Sequence, residues 1–83
     1  MTYQNLKNAH EFQISHLSHV LATTERKEVG QGLFRISQEY KDRRIAEIKA
    51  SIQVERDFIA DLEAECGGDW SLEVTGIMAG LFA

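Results

Sequence analysis

Between Ile45 and Cys66 the apolar positions Ile45, Ile48, Ile52, Ile59, Leu62 and Cys66 recur in alternating steps of three and four residues, and Glu55 occupies the one remaining place in the row. A mean step of 3.5 is the spacing of a helix packed at a shallow angle against another helix. A second stripe, Leu33, Ile36, Tyr40, Val54 and Phe58, lies to one side of that seam. The pattern predicts a long helix from near Leu33 to about Cys66, where Gly67-Gly68 supplies a C-terminal stop. Upstream, a turn of 100° per residue from about Tyr3 to about Leu21 gathers Tyr3, Leu6, His10, Ile14, Leu17, Val20 and Leu21 on one face of a first helix. The intervening "ATTERKEVGQGLF" offers Thr23 and Thr24 as candidate caps and Gly30 and Gly32 as breaks, so the connection is expected there.

These lengths are unequal. At 1.5 Å per residue the second helix spans roughly 50 Å and the first about 30 Å. A first helix folded back antiparallel would reach only the low fifties, leaving Ile59 and Leu62 to be covered by something else. The tail "DWSLEVTGIMAGLFA" is the candidate: with Asp69 as N-cap, Trp70, Val74, Ile77, Met78 and Leu81 would form a helical face over the end of the long helix. The alternation of "WSLEVT", with Gly76 and Gly80 behind it, argues instead for a strand. Helix is the preferred expectation, because a lone strand would lack a pairing partner unless another subunit supplied one. The expected fold is all-α: one domain over residues 1–83, an antiparallel helical hairpin with a long central helix and a short C-terminal apolar helix.

Composition adds a reason to expect association. With 43% hydrophobic and 27% charged residues and no proline, the chain reads as a folded helical protein. Its 83 residues lie near the size at which one core barely offsets the entropy lost on folding. A homodimer is therefore expected, with Ile45, Ile48, Ile52, Glu55, Ile59, Leu62 and Trp70, together with the Gly76–Gly80 GxxxG, as the interface between copies. Glu55 on that seam would either be carried to the interface edge by helix crossing or meet a cation from the neighbouring chain. No cationic stretch leads into an apolar run at the start, and no apolar run approaches the roughly 20 residues of a membrane helix. A cytoplasmic protein with no membrane partner is expected.

Charge narrows the choice of partner. The net charge of −4 is uneven: residues 1–24 sum to zero, 25–49 to +2 and 50–83 to −6. Arg35, Lys41, Arg43, Arg44 and Lys49 scatter around a helix, and Glu39, Arg43 and Glu47 form an i, i+4 ladder of alternating sign, so nucleic-acid binding is disfavoured. Asp57, Asp61 and Glu65 form a like-charge row at helical pitch, able to occupy a basic groove that ordinarily holds phosphate. Phe12, His16 and His19 share the face of the first helix opposite its core side and make a second candidate contact surface.

Chemistry is otherwise sparse. His10 reads as a hydrogen-bonded core histidine. His16 and His19 lack a third ligand at a persuasive spacing, so no metal is expected. Cys66 sits near a helix C-terminus, where the dipole disfavours a thiolate. "VGQGLF" lacks the third glycine and preceding strand of a dinucleotide or phosphate loop, and no cofactor is expected. The expected function is a non-enzymatic module that binds and regulates or inhibits a protein partner, with a nucleic-acid-handling protein engaged through the acidic face as the sharper form. The alternatives are a DNA-binding regulator with a degenerate helix-turn-helix, using Arg35, Arg43 and Arg44 on phosphate, and a structural subunit of a larger assembly.

Overall fold

The computed structural model describes residues 1–30 and 35–74. Two helices, α1 (Tyr3–Glu25) and α2 (Gln38–Cys66), pack antiparallel along their length. Tyr3 and Leu6 meet Leu62 and Cys66 at one end, and at the other the Lys41 ammonium donates to the Lys27 carbonyl at 3.0 Å.

Both boundaries between the helices differ from the sequence expectation, and the difference solves the length problem. Thr23 and Thr24 do not cap; their hydroxyls donate back to the carbonyls of His19 (3.0 Å) and Val20 (2.8 Å), and α1 runs on to Glu25. The second helix begins only at Gln38, where the Ser37 hydroxyl accepts from the Tyr40 amide at 3.1 Å. Ile36 is held outside the helix by a bridge to Val29, and Leu33 lies outside the described residues. With 23 and 29 residues the helices are about 35 Å and 44 Å long, so α1 covers α2 to its last turn. Leu62, expected to need cover from elsewhere, is fully buried at 0% exposure in a cluster with Tyr3, Leu6 and Cys66.

The tail contributes differently from the expected helix. Over residues 69–74 it forms turns, a bend and one antiparallel bridge, Thr2 to Glu73, and no helix starts at Asp69. Trp70 and Val74 nevertheless pack on the Tyr3–Leu62 cluster, as the apolar pattern required. The pairing partner of this extended segment is the start of α1. The Tyr3 amide donates to the Leu72 carbonyl at 3.0 Å, the Gln4 amide to the Trp70 carbonyl at 2.8 Å, and the Val74 amide to the Met1 carbonyl at 2.9 Å. Thr2 and Asn5 close a capping box, the Thr2 amide donating to Asn5 Oδ1 at 2.9 Å and the Asn5 amide to Thr2 Oγ1 at 3.2 Å. All four amides that a helix start leaves without intrahelical partners are thus satisfied. Ile77, Met78, Leu81, Gly76 and Gly80 lie outside the described residues.

At the end of α2, Gly67 adopts φ 63°, and its amide and that of Gly68 close on the Glu63 carbonyl. No described helix is long and apolar enough to cross a membrane.

Candidate interaction surface

The seam of α2 faces α1 within the same chain. Ile48, Ile52 and Leu62 are buried, and Ile45, Glu55, Ile59 and Trp70 are half-buried. Glu55 finds its partner there too: its carboxylate Oε2 hydrogen-bonds Nδ1 of His10, the polar residue in the middle of the α1 core face. The His10 ring also stacks on Phe58, with centroids 4.3 Å apart and planes tilted by 36°. The two polar interruptions, one on each apolar face, answer each other across the hairpin, and the carboxylate needs no cation from a second chain.

The outward faces carry the residues that remain available for contact. Phe12 is 74% exposed on the back of α1, with His16 and His19 exposed beside it. Asp57, Asp61 and Glu65 are all exposed on the back of α2. Each set points away from the hairpin seam on its own helix, so the two occupy opposite flanks rather than one continuous surface. Asp57 accepts from Gln53 Nε2 at 2.8 Å, while Asp61 and Glu65 have no hydrogen-bond or ion-pair partner among the described residues.

The acidity of this end extends into the turn after α2. The Ser71 hydroxyl (2.6 Å) and amide (3.1 Å) both donate to Asp69 Oδ1, and these bonds hold the Asp69 carboxyl below the usual carboxylate range. Burial, followed by the charges of Glu65 and Cys66, pushes the Tyr3 phenol above its ordinary value. Cys66 is itself buried and its thiol donates to the Glu63 carbonyl at 3.7 Å. Lys7 sits over the Trp70 ring, 4.5 Å from its centroid, and so ties the tail to α1.

Two features escaped sequence reasoning. Val54, on the second apolar stripe to one side of the seam, is 66% exposed, and Tyr40 of the same stripe is 46% exposed. Both lie well round from the 45–66 seam by the 100° rule, which was the available signal. The second feature is a groove of about 390 Å³ beside the connection, lined by Val20, Thr24, Lys27, Tyr40 and Arg44 with His19 at its rim. It joins residues from both helices, so no single helical wheel contains it.

The basic residues do not gather on one face. Arg35 pairs with Glu28 at 3.2 Å, Arg44 reaches Glu47 at 3.4 Å, and Arg43 lies over the Tyr40 ring at 5.7 Å. The two helices lie alongside one another instead of crossing near a right angle, as a helix-turn-helix pair does. Among the described residues no three His, Cys, Asp or Glu side chains come together to hold a metal ion. No protein-family model, curated protein or solved structure matches this chain.

Proposed function

We propose that the chain is a non-enzymatic helical interaction module that binds a protein partner and regulates or inhibits it, presenting the outer face of α2 to a basic surface. The observation that carries this reading is the row Asp57, Asp61 and Glu65: three exposed carboxylates at one-turn intervals, none of them in an ion pair among the described residues and only Asp57 hydrogen-bonded, to the Gln53 amide. Carboxylates about 6 Å apart along a rigid helix are pre-ordered for a cationic groove, including one that otherwise takes phosphate. Such a contact strengthens encounter and selects against acidic partners more than it adds raw affinity.

The test is affinity recovery of the tagged protein from its native cells at moderate salt, with the mass and composition of the eluate determined. A stoichiometric partner with a basic surface, lost from the Asp57→Lys/Asp61→Lys/Glu65→Lys protein and retained by Phe12→Ala/His16→Ala/His19→Ala, supports the reading. An acidic partner, or a partner indifferent to the charge reversal, overturns it.

A further inference from the structure

A second groove between the helices, of about 370 Å³, is lined by Ser18 and Leu21 of α1 and by Lys49, Ile52, Gln53 and Arg56 of α2. At 100° per residue Lys49 and Arg56 fall about 90° to one side of Ile48, and Tyr40 and Arg44 fall to the other, so this groove and the one beside the connection lie on opposite sides of the seam. Its floor is apolar, with Ile52 buried and Leu21 half-buried. Its rim offers the Lys49 ammonium, the Arg56 guanidinium and the Ser18 hydroxyl, all exposed and none with a hydrogen-bond or ion-pair partner among the described residues. Every other lysine or arginine of the two helices is engaged: Lys7 with Glu11, Lys41 with the Lys27 carbonyl, Arg43 with the Tyr40 ring and Arg44 with Glu47. The exception is written in the sequence. The positions three and four residues to either side of Lys49 and Arg56 hold Ile45, Ala46, Ile52, Gln53, Ile59 and Ala60, so neither cation has a carboxylate one turn away. Glu11, two turns before Ser18, is taken by Lys7, and Asp57, one turn after Gln53, accepts from the Gln53 amide at 2.8 Å.

We propose that this groove binds a small phosphate monoester, its phosphate held between Lys49 and Arg56 and its apolar body laid on Leu21 and Ile52. Two cations brought to one groove without a counter-ion match a group that carries nearly two negative charges at neutral pH. Lys49 and Arg56 stand seven residues apart, about 10 Å along α2, a span that two long side chains close onto a single anion between them. The Arg56 fork takes two phosphate oxygens, the Lys49 ammonium adds a point charge, and the Ser18 hydroxyl donates from the facing helix. The volume lies near the lower end of small-molecule sites, which limits the apolar body to about the size of one ring. None of Asp57, Asp61 and Glu65 lines this groove, so the inference is independent of the binding of a basic partner.

The test is an amide NMR titration of the full chain with phenyl phosphate, run beside inorganic phosphate and benzoate, with circular dichroism confirming that each variant keeps its helices. Saturable shifts confined to the amides around Ser18, Leu21 and residues 49–56 are expected. Phenyl phosphate should bind more tightly than inorganic phosphate, which lacks the ring, and than benzoate, which carries one charge. Lys49→Gln and Arg56→Gln should each weaken it by about fivefold or more, the loss of one charge-assisted bond. Lys27→Gln removes the same charge away from the groove and should leave binding unchanged. No saturation at millimolar phenyl phosphate, benzoate or inorganic phosphate bound as tightly, or an equal loss in Lys27→Gln overturns the proposal. None of these outcomes bears on whether a foreign basic partner is recovered.

Discussion

The end of the hairpin where Tyr3, Leu6, Leu62 and Cys66 meet is sealed, while the described residues at the end beside the connection are only partly covered, although the same two helices build both. At the sealed end residues 69–74 lie across the helices, and Trp70 and Val74 close the cluster from a third side. At the other end, among the described residues, Ile45 is half-buried, Tyr40 is exposed, and Thr24, which is buried, turns its hydroxyl back on its own helix. Two helices bury the stripe each turns to the other; sealing the sides of that stripe takes a further layer. The short tail segment therefore contributes more to the core than its length implies.

The comparison is broken most directly by truncating one core residue at each end. Leu62→Ala should cost about 3 kcal/mol and Ile45→Ala only about 1 kcal/mol in urea unfolding, because a cavity is left at the first site and solvent already reaches the second. Equal costs would mean that the tail does not seal its end. Trp70→Ala sharpens the point: combined with Leu62→Ala it should cost clearly less than the two single losses added together, the signature of residues sharing one cluster.

Midway along, His10→Leu should cost about 1 kcal/mol by stranding the half-buried Glu55 carboxylate, and the double change to leucine at both positions should recover most of that. A double variant as unstable as the single one would show that the pair acts by packing alone. At the sealed end Gly67→Ala should also cost about 1 kcal/mol, for backbone reasons only. A Cβ there meets nothing within 4 Å, but φ is 63°.

The smallest effects are those of pH, and they belong to the sealed end. Tyr3 has its phenol pKa raised on folding, so its neutral form favours the folded state. The associated stability is complete below the ordinary tyrosine value and is lost as pH rises through the higher folded value. Tyr3→Phe should flatten this alkaline loss in unfolding curves. Asp69 is depressed, so its contribution is present above the ordinary aspartate value and disappears as pH falls through the lower folded value; Asp69→Asn should remove that acid-side loss.

The hairpin and its seam were legible in the sequence because both rest on periodicity, a property of one helix at a time. Spacing alone puts Ile48, Ile52, Leu62 and Cys66 on one seam and marks His10 and Glu55 as polar interruptions, but it assigns Ile48, Ile52 and Leu62 to an interface between copies, where the structure fills the seam with α1 of the same chain. What spacing could not supply was the relation between segments. That His10 answers Glu55 depends on the register of α1 against α2, which in turn depends on where each helix starts and stops. Thr23 and Thr24 carry cap chemistry in sequence, yet an interior threonine can satisfy its hydroxyl on the carbonyl four residues back and let the helix continue. Residues 69–74 depart from the expected helix for a similar reason: the Trp70 and Leu72 carbonyls are spent on the first-turn amides of α1, some 70 residues earlier. Of the contact candidates, the carboxylate row was visible as a row, whereas its separation from the Phe12 face, on the opposite flank, became apparent only once the two helices were set side by side.

The backbone pairing between the two described ends of the chain has a mechanical consequence. Met1 is bonded to Val74, Tyr3 to Leu72 and Gln4 to Trp70 in that order. Tension applied between Met1 and Val74 loads these bonds one after another, as in a zip fastener, instead of sharing the load among them as in shear. The strap would peel at low force, baring Leu62 and Cys66 while the rest of the hairpin is still intact.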